Sequence, residues 1–173
     1  MRLVDSLVRN DGYRMIRMLG YETQIPYNHP YYFPVYSKCA ELDIPVGLNV
    51  GIPGPLVPGR HQHPLAIDDV CAHFPELKVV MQHGGEPWTD LCVKLMLKWS
   101  NLYYMTSAFA PKHIPQAIFR YLNTRGADRI MWATDYPLLT FSRCVKDIEN
   151  LEFRDEERKR KFVADNARAL LFS

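Results

Sequence analysis

The stretch Leu77–Trp88, LKVVMQHGGEPW, decides the fold. Leu77, Val79, Val80 and Met81 are apolar, so Leu77 to Met81 leaves no solvent face and suits a parallel strand covered on both sides. The strand hands His83 to a turn at Gly84 and Gly85, where glycine allows a sharp bend and a close backbone approach to a ligand. Polar residues at the C-terminal ends of such strands carry the chemistry of α/β barrels and open α/β sheets. A histidine that merely caps a loop is the competing interpretation, because one imidazole is weak evidence for catalysis.

The surrounding chain has 173 residues, 47% hydrophobic and 23% charged, enough for one core and short for two domains. We therefore expect a single domain over residues 1–173 with no internal boundary. A formal net charge of +2 is too small to imply a nucleic-acid or membrane partner. No run approaches the roughly 18 apolar residues of a membrane span. The N-terminal MRLVDSLVRN lacks a signal-peptide core and cleavage site. Cys39, Cys71, Cys92 and Cys144 form no C-x-x-C pair, which suits reduced structural thiols in a cytoplasmic protein.

Outward from the central strand, the pattern alternates. Leu3, Leu7, Val8, Ile16 and Leu19 recur at helical spacing, predicting a helix over Leu3–Leu19 that stops at Gly20. A weak strand is expected at Glu22–Ile25 and a helix at Phe33–Leu42. IPVGLNVG is a strand ending on Asn49, and GIPGPLVPGRHQHP is a loop. Further helices are expected at Leu65–Phe74, Leu91–Trp99 and Ile114–Asn123. NLYYMTSA is strand-like, Ile130–Thr134 is the last strand, and a charged helix spans Arg154–Phe172. Alternating βα units imply a parallel sheet with right-handed crossovers. The repeat of roughly 25 to 30 residues is that of a (β/α)8 barrel of about 250 residues. The expected fold is therefore α/β: the C-terminal five βα units of a TIM barrel, with outer helices and the N-terminal strands missing. A smaller open α/β sheet is the alternative, although neither a G-x-G-x-x-G nor a Walker pattern follows any strand.

Several strands end in a polar side chain. Asn49 closes VGLN, His83 closes VVMQH, Asp135 closes IMWATD, and Thr106 and Ser107 follow YYM. Such a set on successive strands is what a barrel active site requires, since its groups come from several strand ends.

The ordered segments ELDIPVGLNVG, HPLAIDDVCAHFPELKVVMQHGGEPW, LYYMTSA, RIMWATDYP and DNARALL resemble the C-terminal part of the amidohydrolase-related family, from about Arg14 onward. The family comprises TIM-barrel metal-dependent hydrolases and decarboxylases, including aminocarboxymuconate-semialdehyde decarboxylase. The resemblance implies a catalytic histidine at His83 and a catalytic, metal-ligand aspartate at Asp135. It also implies a divalent metal, zinc foremost, and a small carboxylated or cyclic substrate. Asn49 stands where the family has a ligand histidine, and an amide oxygen is a poorer zinc ligand than an imidazole. The family's H-x-H pair of strand one has no counterpart ahead of this region. The metal site is thus expected to be incomplete and the ion weakly held or absent, as in one metal-independent lactonase branch. The chain would then be a truncated or diverged member.

Asn49, Gly84, Ser107 and Tyr136 are the expected substrate contacts, and Glu86 is placed to orient the imidazole of His83. His61 and His63 form an H-x-H of their own, but between Gly59 and Pro64 they suit a solvated loop better than a ligand pair. His29, His73 and His113 are expected to be structural or exposed, and Trp88 either lines the pocket or packs in the core. A non-catalytic half-barrel that binds or oligomerises is the competing function, with a homo-oligomer as its natural partner state.

Overall fold

A computed structural model describes residues 1–172. Five strands, β1 (Ile16–Met18), β2 (Val46–Asn49), β3 (Val79–Gln82), β4 (Leu102–Met105) and β5 (Ile130–Met131), form one sheet in chain order. Every neighbouring pair is parallel, with Val46 opposite both Ile16 and Val79, and Leu102 opposite Val79. A doubly wound sheet reverses its strand order at a switch point and takes helices on both faces. This sheet never reverses, so its crossovers all turn the same way. It is the arc of a TIM barrel that the βα alternation predicts.

The two faces differ in chemistry. Val46, Leu48, Val79, Met81, Leu102, Tyr104 and Ile130 alternate along the strands and face the helices. They join Tyr36, Cys39, Ile67, Cys71, Cys92, Met96, Ile118, Leu122 and Cys144 in the main core. The intervening residues Arg17, Gly47, Asn49, Val80, Gln82, Tyr103, Met105 and Met131 line the inner side. There Val80, Met105 and Met131 form a second apolar cluster with Leu170. Gly47 leaves room for the Gln82 amide, which would lie 2.8 Å from an added Cβ.

The helices are α1 (Arg2–Arg9), α2 (Gly20–Thr23), α3 (Phe33–Glu41), α4 (Leu65–His73), α5 (Thr89–Lys98), α6 (Gln116–Leu122), α7 (Phe141–Glu149), α8 (Glu156–Arg160) and α9 (Asn166–Leu171). The N-terminal region differs from the sequence expectation. The helix predicted over Leu3–Leu19 ends at Arg9, followed by Asn10–Asp11–Gly12 with Gly12 at φ +72°. These are turn formers, and a left-handed glycine ends a helix readily. Ile16, counted as helical, belongs to β1 instead, and the strand expected at Glu22–Ile25 does not exist. Gly20 begins α2 rather than ending a helix. The C-terminal helix is also divided, by a π turn at Lys161–Asp165. There the Phe162 carbonyl accepts from the Trp132 backbone N–H at 3.0 Å, tying this helix to the end of β5.

All four cysteines are buried free thiols, and burial pushes Cys39, Cys71 and Cys92 up to about 12. Such thiols stay protonated and serve packing. Among the described residues no helix is long and apolar enough to cross a membrane.

Candidate active site

Side chains from the ends of β2 and β3 and from the segment after β5 converge on one arginine of β1. Arg17, on the inner face of β1, donates from Nε to Asn49 Oδ1 at 3.2 Å and from Nη1 to Asp135 Oδ1 at 3.3 Å. Its Nη2 lies 2.6 Å from His83 Nε2. The Arg17–Asp135 ion pair joins the first strand to the segment after the last. In a flat sheet four interstrand steps of about 4.8 Å would separate them by about 19 Å, too far for one side chain. The sheet therefore curls strongly, and its curvature assembles the site.

Sequence reasoning missed Arg17 because it lay inside the predicted first helix. The signal was legible: Ile16–Arg17–Met18 has the period-two pattern of a strand with one polar inward position. Tyr27 completes this corner, donating its hydroxyl to the Asn49 carbonyl at 2.7 Å and accepting from the Gly20 N–H at 3.0 Å.

His83 is held from both sides. Opposite Arg17, its Nδ1 is 3.0 Å from Ser107 Oγ, which also accepts the His83 backbone N–H at 3.3 Å. Burial lowers the imidazole below its ordinary value; the Asp135 charge opposes that shift and the Arg17 charge adds to it. His83 is therefore neutral at pH 7. Both ring nitrogens are partnered, so Glu86 does not orient the ring.

Three residues at these strand ends adopt left-handed backbone: His83 at φ +72°, Ala108 at +67° and Asp135 at +58°. Each costs on the order of 1 kcal/mol for a residue with a Cβ and persists only where its surroundings enforce it. Strain of this kind concentrates at functional sites.

The ends open into a cavity of about 760 Å³, within the range of small-molecule sites. Arg17, Asn49, His83, Gly84, Asp135 and Tyr136 all line it. Tyr136 is 77% exposed and stands at the mouth. Ser107 is buried behind His83 and does not line the cavity. Gly84 forms part of the wall where a Cβ would strike the Glu86 carboxylate and approach the Phe109 ring at 2.6 Å. Glu86 faces the same cavity, and burial raises its carboxyl above the ordinary value. Phe109 carried no sequence signal of its own, and Glu86 was read only as a partner of His83.

The remaining histidines serve local structure. His61 Nε2 accepts from Arg60 Nε at 3.0 Å, and the His63 ring packs on Trp88 with centroids 4.4 Å apart. Gln62, between them, is buried, lines the cavity and donates to the Gly51 carbonyl at 3.0 Å. His29 Nδ1 accepts from the Tyr31 N–H at the start of a short 3-10 turn. His73 packs beside Phe33, and His113 closes another 3-10 turn at Pro111–His113.

The side chains present do not fit a divalent ion as arranged. Asp135 and His83 are the only family-type ligands of the cluster, and a catalytic zinc needs three. Arg17 donates to both and to the Asn49 amide oxygen, placing a cation where the ion's charge would act. No group of three or more His, Cys, Asp or Glu side chains suits a metal ion among the described residues.

Comparison with curated proteins yields no match. Among solved structures, the chain is similar to an uncharacterized TIM-barrel protein, Bb4693, from Bordetella bronchiseptica, with a TM-score of 0.86 and 24% identity over 98% of this chain and 61% of that one. It is also similar to a dihydroxybenzoic acid decarboxylase from Polaromonas sp. JS666, solved with manganese and the inhibitor 2-nitroresorcinol. There the TM-score is 0.74 and the identity 18%, over 98% of this chain and 64% of that one. A 5-carboxyvanillate decarboxylase from Sphingomonas paucimobilis matches with a TM-score of 0.73 and 15% identity, over 98% and 62%. At these identities the likeness is one of fold, and the chain spans less than two thirds of each of these three proteins. The sequence profile of the Amidohydrolase family matches residues 4–172, and the chain belongs to that family.

Proposed function

We propose that this chain carries the acid–base and anion-binding part of an amidohydrolase-type site, acting by hydrolysis or decarboxylation on a small carboxylated or cyclic substrate. The observation that carries this is the convergence of Arg17, His83 and Asp135 on one cavity. A guanidinium with hydrogen-bond donors to spare is a ready partner for a substrate carboxylate. His83, neutral at pH 7, has the character of a general base.

In hydrolysis, His83 Nε2 takes a proton from water, the water oxygen attacks the substrate carbonyl, and Arg17 stabilises the oxyanion. The protonated His83 then returns its proton to the leaving oxygen or nitrogen. In decarboxylation, His83 Nε2 first takes a proton from a substrate hydroxyl or a water and then delivers it to the carbon that loses carbon dioxide. An anion on Arg17 competes with His83 for the guanidinium, so substrate binding exposes the base. Asp135 stays a carboxylate beside Arg17 and keeps the guanidinium aligned. A zinc-bound form would require Arg17 to leave all three of its acceptors, so no step here runs through a metal. A cytoplasmic setting suits the free thiols.

The test is turnover of carboxylated lactones and hydroxybenzoates by the purified protein and by Arg17→Met and His83→Gln. Metal content is measured on the wild type and Asp135→Ala after incubation with zinc. We expect turnover lost in both cavity variants and sub-stoichiometric metal throughout. Stoichiometric zinc in the wild type, lost in Asp135→Ala, would overturn the metal-free reading.

The second reading is a non-catalytic half-barrel, and the observation in its favour is that among the described residues β1 and β5 pair with no further strand. Unpaired edges are templates for association. Concentration-dependent dimerisation with no turnover on the panel would select it.

A further inference from the structure

We infer that Ser107 is a positioning residue: its hydroxyl holds the His83 ring in the Nδ1–H tautomer and so turns the Nε2 lone pair toward Arg17 and the cavity. Its bearing on catalysis rests on the function proposed above; the tautomer itself does not.

The argument begins with Arg17. A guanidinium has only donors. At 2.6 Å from Arg17 Nη2, His83 Nε2 must be the acceptor, because a proton there would set two donors against each other. A neutral imidazole with a bare Nε2 carries its proton on Nδ1. That proton needs an acceptor inside a buried wall, and Ser107 Oγ stands 3.0 Å away. Among the described residues Nδ1 has no other hydrogen-bond partner. The oxygen also accepts the His83 backbone N–H at 3.3 Å, so both of its lone pairs point at the same residue. Ser107 is 4% exposed, which keeps bulk water from taking its place.

The fold supplies this contact without a direct neighbour in sequence. Gln82 and Met105 are register partners at the ends of β3 and β4. The chain then continues one residue to His83 on one strand and two to Ser107 on the other. His83 turns into left-handed backbone at φ +72°, and Ala108, next after Ser107, does so at +67°. Two adjacent strand ends thus bend together, one bringing the imidazole and the other the hydroxyl. A residue in such a place acts through the base it orients, as an outer partner does for a catalytic histidine.

The experiment is long-range ¹H–¹⁵N correlation of the histidine rings in the full chain at neutral pH. The His83 signals are assigned by their loss in His83→Gln, and Ser107→Ala and Ser107→Thr are compared with the wild type. The expected wild-type pattern is a protonated Nδ1 with a lone-pair Nε2. Because Arg17 alone disfavours a proton on Nε2, the serine variants are also made in Arg17→Met, where Ser107→Ala should give a mixed pattern and Ser107→Thr, which keeps the oxygen, should restore a single tautomer. A wild-type ring protonated on Nε2, or a Ser107→Ala ring in Arg17→Met identical to that of Arg17→Met alone, would overturn the inference. If Ser107→Ala fails to fold, the wild-type and Ser107→Thr spectra decide. Where turnover is found, Ser107→Ala should lower kcat by roughly tenfold or more with KM little changed, within the factor of about 100 to 10,000 that a positioned base supplies. Absence of turnover on the substrate panel would count against the proposed function and leave the tautomer result standing.

Discussion

Arg17 Nη2 and His83 Nε2 lie 2.6 Å apart, although 66 residues separate them in the chain. The contact joins β1, at the edge of the sheet, to the end of β3 at its centre. It presses a permanent cation against the lone pair of the imidazole that lines the cavity. Two consequences follow for His83: it is kept from taking up a proton, and its lone pair is engaged until something draws the arginine away.

Replacing the guanidinium should therefore raise the His83 pKa. The Arg17 charge lowers it and the Asp135 charge raises it, so Arg17→Met leaves the carboxylate's pull unopposed. Titration of the His83 ring by NMR should move upward from its depressed wild-type value. An unmoved titration would mean that burial alone holds the imidazole neutral.

The same depression makes stability depend on pH. The folded-state pKa of His83 lies below the ordinary 6.5, so the unfolded chain takes up a proton first as pH falls. The contribution of neutral His83 is present above 6.5 and is lost as pH drops from there through the folded-state value. Urea midpoints should fall between pH 7 and pH 5, and His83→Gln should flatten that slope. Equal slopes in the two proteins would place the dependence on other groups.

Gly84→Ala should destabilise the fold by about 1–3 kcal/mol through overpacking, since its Cβ would meet Glu86 and the Phe109 ring. Chemical denaturation measures this, and binding of a carboxylate ligand in the cavity should weaken in parallel. A neutral substitution would show that the Phe109 wall yields freely.

Leu170→Ala tests whether α9 covers the inner side of the arc. Leu170 is 5% exposed within the second apolar cluster, so its truncation should cost about 2–5 kcal/mol. Leu3→Ala is the control: Leu3 is 70% exposed, and the change should stay within about 0.5 kcal/mol. Similar urea midpoints for the two variants would show that α9 contributes little to the core.

Much of this architecture is visible in local pattern. VGLN and VVMQ are apolar runs too short for helices, and both form fully buried strands. The helices expected at Phe33–Leu42, Leu65–Phe74 and Leu91–Trp99 form within two residues of those limits. The N-terminal segment was misread because Ile16 and Leu19 fit a helical period as well as a short strand. A three-residue strand carries too little periodicity to compete with seventeen residues of loose helical spacing.

The sequence by itself determined the parallel βα arc, the family, and the placing of Asn49, His83 and Asp135 at or just beyond the ends of β2, β3 and β5. Hydrophobic period and turn chemistry are local properties, and the order of the segments carries the rest. Only the tertiary structure decided what those side chains face. Curling the sheet brings Arg17 from one edge across to Asp135 beyond the other and sets its guanidinium against His83. That contact depends on sheet curvature, which no single segment encodes, because it is set by how all five strands and their covering helices pack together.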